Sequence, residues 1–375
     1  MTDKEPQLIV DPSTPAPPRP PRRLWPIGLL ALALAVAGIG GYLVYRAVAR
    51  PQPATPGWTA IELSLPALGP ERADGPWISL TASPLSPGQN QFVAALHPTK
   101  TASASSQDVR QVRIALTPLV PDGEGSVATV KPAGGGTFAA EANLPTAGWW
   151  RVTVTVDADG LGTATVPFDL MVPDPNLNGV AAVPQPASDP EAEKLYEQAL
   201  ASLTGLRTVR FWQTMANGRG VVALSDHAVR SAASGETPGF TYHAYTGLEA
   251  VVIGDRMWSR DPGEPWEEAE ASQMVDPSAW GEEYNGATSF QLGGEMMVGR
   301  VPCRLVAFRT PDLTEPRTQV AAWYLWWVAP NGDLLREAMI SRAHYMTNDF
   351  VEINQPLALT PPIGPATPGA ATPAR

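Results

Sequence analysis

"AAWYLWWVAPNGDLLREAMISRAHYM" runs from Ala321 to Met346. Neighbouring side chains of a strand point to opposite faces. A strand over this run sets Tyr324, Trp326 and Val328 on one face and Trp323, Leu325 and Trp327 on the other. Both faces are apolar, so the strand needs two buried environments. Either both are filled layers, or one is the wall of a binding cavity. Asn331-Gly332 is a hairpin turn signal, which brings "DLLREAMISRAHYM" back as strand.

Working outward, Ser188 to Glu191 has capping-box spacing, and Pro190 suits a first helical turn. Ala192, Leu195, Tyr196, Ala199, Leu200 and Leu203 then form one apolar stripe, and Gly205 stops the helix. Strands follow: "TVRFWQTMANGRGVVALS" with its Asn217-Gly218 turn, "GFTYHAYT", "LEAVVIGDRMWSR" and "EMMVGRVPCRLVAFRT". "DPSAWGEEY" reads as a short helix capped by Asp276. "DPGEPWEEAEASQ" (Asp261–Gln273) lacks the glycine and ligand spacing of an EF-hand and reads as a solvated hairpin tip.

This order, with "RVPCRLVAFRT", "AWYLWWVAPNGDLLREAMI" and the ending "AHYMTNDFVEINQPLALTPP", resembles the LolA/LppX-type lipoprotein carriers. The resemblance covers 188–360. It implies a curved antiparallel half-barrel covered by helices, holding a lipid or acyl chain, with no catalytic residues to carry over. Trp212, Tyr242, Trp258, Trp323, Tyr324, Trp326 and Trp327 are the ligand-cavity candidates. Seven of the 12 tryptophans fall between Trp212 and Trp327.

Residues 58–172 carry a different pattern. "GWWRVTVTV" places Trp150, Val152, Val154 and Val156 on one face. "TATVPFDLMV", "DVRQVRIALTPL" and "NQFVAALH" alternate in the same way, as strands of an antiparallel sandwich do. With "SPLSPGQNQFVAAL" and "GGGTFAAEANLPTAGWWRVTVTV", this stretch resembles the YtkA-like exported domains, related to FixH and to copper-resistance modules. The resemblance implies an immunoglobulin-like β-sandwich. His97 is the lone histidine there and no methionine occurs between Trp58 and Leu170, so the soft ligands of a copper site are missing.

The ends and joints are proline-rich. Residues 1–23 form a Pro-rich tail and 24–45 an uncharged stretch, "LWPIGLLALALAVAGIGGYLVY". Twenty-two residues at about 1.5 Å each span roughly 33 Å, enough for a bilayer. Arg19, Arg22 and Arg23 precede it, which favours a cytoplasmic N-terminus. Ala47-Val48-Ala49 resembles a signal-peptide cleavage site, but the apolar run is long for a signal peptide and Arg46 separates the two. Residues 46–57 and 173–187 are linkers, and 361–375 is a disordered Pro-rich tail. The expected location is the cell membrane, single-pass, with the bulk of the chain extracytoplasmic.

Of 26 Lys and Arg, six precede residue 51; of 37 Asp and Glu, three do. The remainder therefore carries a formal charge of −14. Such an acidic body argues against nucleic acid as a partner. No GxSxG, HExxH, CxxC or P-loop pattern is present, and Ser225-Asp226-His227 reads as a polar turn. The weak metal alternative is Cys303, His344 and Met346, with Met296 and Met297 nearby. Methionine pairs and a lone cysteine in an apolar strand are ordinary core fillers, so no cofactor is expected. The sequence thus points to a mainly β, non-enzymatic binding protein for a lipid or other hydrophobic molecule. The alternative is a structural or regulatory ectodomain that assists copper or oxidase assembly by contacting an envelope protein partner.

Overall fold

The computed structural model describes residues 58–97, 109–177, 183–271, 276–313 and 319–362. The expected membrane anchor, the N-terminal tail, the first linker and all but two residues of the C-terminal tail lie outside them. Among the described residues no helix is long and apolar enough to cross a membrane.

The chain begins with β1 (Ile61–Pro66), β2 (Trp77–Ser83) and β3 (Gly88–His97), then β4 (Val109–Val120), β5 (Ser126–Ala128) and β6 (Val130–Gly134). β7 (Thr137–Leu144), β8 (Gly148–Ala158) and β9 (Gly162–Val172) follow. They form two antiparallel sheets, β1-β2-β3-β7-β6 and β5-β4-β8-β9. Ile78, Leu80 and Phe92 of one sheet share a core with Ile114, Leu116, Val152, Val154, Phe168 and Leu170 of the other. Period-2 alternation is the local cause, since each strand offers one apolar face. Gly148, where β8 starts, has φ +131°, and a Cβ there would collide with the Val120 carbonyl oxygen. Only glycine fits that corner.

The second half opens with α1 (Pro190–Thr204). Its N-cap is Asp189, one residue later than the capping-box spacing implies. The Asp189 carboxylate accepts from the Glu191 and Ala192 N–H groups. Ser188 instead accepts from Phe290 N–H at 3.3 Å, tying the helix start to the sheet. The strands are β10 (Thr208–Ala216), β11 (Val221–Arg230), β12 (Gly239–Ala244), β13 (Glu249–Ile253), β14 (Arg256–Arg260) and β15 (Glu267–Glu270). After the 3₁₀ segment Pro277–Tyr284 come β16 (Thr288–Val298), β17 (Val301–Thr310), β18 (Ala322–Val328), β19 (Leu334–Ser341) and β20 (His344–Ile353).

All eleven strands join one sheet in the order β15-β14-β13-β12-β11-β10-β20-β19-β18-β17-β16. Every pairing is antiparallel, and β20 closes back between β10 and β19. The acidic stretch expected as a hairpin tip is a turn followed by an edge strand, because Glu267–Glu270 is β15. Exposed charge on an edge blocks pairing with other chains. Ser225, Asp226 and His227 are not in a turn: they lie inside β11. The signal missed is the register of β11 with β10, which buries Ser225 and His227 on one face.

Two layers bury the two faces of β18. On one face of β18, Tyr324, Trp326 and Val328 pack with Tyr196, Ala199 and Leu203 of α1. On the other, Leu325 and Trp327 join the core of the two-sheet unit, together with Leu305, Ala307, Ala338 and Ile340. The eleven-stranded sheet therefore has a helix face and a sandwich face.

The sandwich face is joined by charge as well as apolar contact. Asp169 of β9 accepts from Arg151 of β8 at 2.7 and 3.0 Å and from Arg336 of β19 at 3.2 Å. Arg336 also pairs with Asp349 at 2.8 Å. Both guanidinium groups lie over the Trp327 ring, that of Arg151 5.2 Å and that of Arg336 5.4 Å from its centre. Burial pushes the Asp169 pKa up, but the two arginines outweigh it and hold the carboxyl below its usual value. A second tie runs through the segment after β9. Tyr345 O–H reaches both Asp174 oxygens at 3.0 Å, and Asn176 accepts from Ala343 N–H at 2.6 Å. Gly293 of β16 completes the seam: a Cβ there would stand 2.5 Å from the Leu119 carbonyl oxygen.

Two outcomes follow for stability. Asp169→Ala leaves two buried arginines without their shared partner and is expected to cost about 3–5 kcal/mol in chemical unfolding. Asp174 behaves oppositely. Burial raises its carboxyl to about 6. A carboxyl raised on folding binds more protons in the native state, so its contribution to stability falls as pH rises from about 4 to about 6. Asp174→Asn is expected to raise stability at pH 7 by about 1–3 kcal/mol and to flatten the unfolding midpoint across that window.

Candidate functional site

Three places in the second half carry unusual side chains. The first is an aromatic cluster on the helix face. Trp326 is fully buried. Its ring stacks on Tyr196 at 5.2 Å and meets Tyr284 and Phe308 edge-on at 4.9 Å. Tyr324 stacks on Phe308 at 5.0 Å. The rings of α1, the 3₁₀ segment and the sheet thus fill the space between them.

The second is a polar belt on the same face. Trp326, Glu337, Asn348, Gln213 and Ser225 are successive register partners across β18, β19, β20, β10 and β11. All five are at most 1% exposed. Trp326 Nε1–H and Tyr284 O–H donate to Glu337 Oε2 at 2.7 Å each. Asn348 Nδ2 donates to Glu337 Oε1 at 3.0 Å, and Gln213 Nε2 to Asn348 Oδ1 at 2.9 Å. Gln213 Oε1 has no partner. Burial raises the Glu337 pKa, and the three donors only partly offset it. Ser225 hydrogen-bonds His227 Nε2 at 2.8 Å, while Phe211 stacks on the His227 ring at 4.6 Å. Burial lowers His227 to about 3, so the ring is neutral. Asp226 lies on the opposite face, paired with Arg210 at 2.8 Å. Ser225, Asp226 and His227 therefore form no relay.

The third is a cleft of about 230 Å³ at the seam between the two halves. Gly148, Trp149 and Met171 come from the sandwich sheets, Ala307, Arg309 and Trp323 from β17 and β18, and Val183 to Pro186 from the linker. The Arg309 guanidinium lies 5.5 Å from the Trp323 ring centre. A separate cleft of about 280 Å³ lies between α1 and the 3₁₀ segment, beside Glu193, Glu197, Tyr196 and Tyr284.

The seven aromatic candidates from the sequence thus divide. Tyr324 and Trp326 belong to the ring cluster. Tyr242 is on the same face, edge-on to His227 at 5.1 Å. Trp323 lines the seam cleft, and Trp327 packs against Arg151 and Arg336 where the two halves meet. Trp212 lies near Arg210 and Trp258 near Arg256, each as a cation–π pair. Cys303 packs in the sandwich-face core and Met346 in the helix-face core, so the sheet separates them. Burial lowers His344 to about 4. Among the described residues no three His, Cys, Asp or Glu side chains are grouped as metal ligands would be. The polar belt is not legible in the sequence, because its members are spread from Gln213 to Asn348 and meet only through strand register.

No family model and no curated protein matches this chain. Among solved structures, LprF from Mycobacterium bovis is similar, with 15% identity over 48% of this chain and all of that one, at a TM-score of 0.39. The Mycobacterium tuberculosis lipoprotein LppX is similar at 16% identity over 46% of this chain and all of that one, TM-score 0.35. A DUF1329 family protein from Desulfovibrio piger shows 13% identity over 46% of this chain and 96% of that one, TM-score 0.25.

The belt has a specific mutational signature. Glu337→Gln lets the Asn348 and Gln213 amides turn over in sequence, which gives Gln213 Oε1 a donor. This variant is expected to be within about 1 kcal/mol of the parent at pH 7. Glu337→Ala strands three donors and is expected to cost about 3 kcal/mol or more. Urea unfolding of the two variants checks the difference.

Proposed function

We propose that this chain is a membrane-anchored, extracytoplasmic, non-enzymatic binding protein for a hydrophobic small molecule. The observation that carries this reading is the seam cleft. It is mostly apolar, it is walled by Trp149, Met171 and Trp323, and it is built from both halves and the linker. Its volume is just under the roughly 300–1,000 Å³ of drug-sized pockets, so it suits a short hydrocarbon or the end of a longer one. The helix face, by contrast, is packed with its own rings. A lipid held there needs α1 and the 3₁₀ segment to move aside, which exposes Tyr196, Tyr284 and Trp326. The resemblance of residues 188–360 to lipoprotein carriers supports the apolar cargo, and the uncharged Leu24–Tyr45 stretch supports the anchor.

The filled helix face favours a second reading, in which the two joined halves are a structural or regulatory ectodomain. In that case the protein works by contact with an envelope partner, in copper or oxidase assembly. Mass spectrometry of the full chain, purified gently from membranes, separates the two. The binding reading expects a co-purifying apolar molecule that Trp323→Ala reduces at least threefold. Absence of any such molecule, with a membrane oxidase or copper transporter recovered instead, supports the second reading and overturns the first.

A further inference from the structure

Two side chains that line the seam cleft each carry a buried hydrogen-bond donor without a partner among the described residues. The donors are Arg309 Nε and Trp323 Nε1. They are cross-strand neighbours, Arg309 on β17 opposite Trp323 on β18, and share the sandwich face. A buried donor without an acceptor loses its hydration and gains nothing in return. Two such donors side by side, one of them on a guanidinium, call for an acceptor that carries negative charge.

Apart from Gln185, Ser289 and Gln291, the rest of the cleft is apolar, and none of it is charged. Trp149, Met171 and the Val183–Pro186 segment offer no charge to neutralise Arg309. Other arginines of the sheet do have partners: Arg304 with Glu191, Arg336 with Asp169 and Asp349, Arg210 with Asp226. Among the described residues Arg309 is paired with no acid in this way; what it faces is an aromatic ring and a cleft.

We infer that the seam cleft binds a short apolar carboxylate. The head accepts from Arg309 and Trp323 Nε1, and the hydrocarbon lies against Trp149 and Met171. At about 230 Å³ the cleft lies just under the roughly 300–1,000 Å³ of drug-sized pockets. That is the scale of a medium-chain fatty acid, not of a two-chain lipid. The inference rests on the binding reading above and adds the charge, the size and the contacting atoms.

The test titrates the full chain in nanodiscs with octanoate and with octanamide at pH 7, by calorimetry against empty nanodiscs. The two probes match in size and differ in charge. Octanoate is expected to bind about tenfold more tightly than octanamide. Arg309→Gln is expected to erase that preference while octanamide binds as before, and Trp323→Phe to weaken octanoate about threefold. Unchanged octanoate affinity in Arg309→Gln overturns the carboxylate assignment and leaves the apolar binding reading standing. No binding of either probe overturns both. A diazirine-bearing octanoate supplies a check on the unmodified chain. Labelling of peptides containing Trp149, Met171 or Trp323 supports the site, and labelling confined to Tyr196 or Tyr284 overturns it.

Discussion

The architecture depends on β18 being buried on both faces. A strand with one apolar face can stand at the surface of its layer; one with two must lie between layers. Trp326 directs a ring at α1, and Trp327, one residue on, directs a ring at the sandwich. Removing either layer exposes a large aromatic surface. The helix cover, the sheet and the two-sheet unit are therefore held in one stack by one seven-residue strand and its neighbours.

Electrostatics sharpen that stack. Apolar contact between two sheet faces tolerates sliding, because it is not directional. The Arg151–Asp169–Arg336–Asp349 chain is directional and lies around Trp327. It sets where β9 meets β19. The Asp174–Tyr345 and Asn176–Ala343 contacts do the same at the other end of the seam. Beside these ties the seam cleft is left open, with Gly148, Arg309 and Trp323 on its wall.

Much of this was legible in the chain. Alternation along "GWWRVTVTV" and "TATVPFDLMV", the turns at Asn217-Gly218 and Asn331-Gly332, and the helix stripe from Ala192 to Leu203 all express local rules. The two-faced strand was legible too, as a demand for two environments. What filled each environment was not, since rings lining a space and rings filling it have the same sequence. The cap at Asp189 and the strand placement of Ser225 to His227 were misread because tertiary register, not local pattern, decides them. The polar belt and the Arg309–Trp323 pair are long-range coincidences. Each member alone is an unremarkable strand residue, and only the cross-strand register assembles them.

Joined through β18, the two halves are one cooperative body. Differential scanning calorimetry tests it most directly. A joined body unfolds in a single transition whose calorimetric and van't Hoff enthalpies agree. Two resolved transitions, with the sandwich surviving after the eleven-stranded sheet has melted, would contradict it.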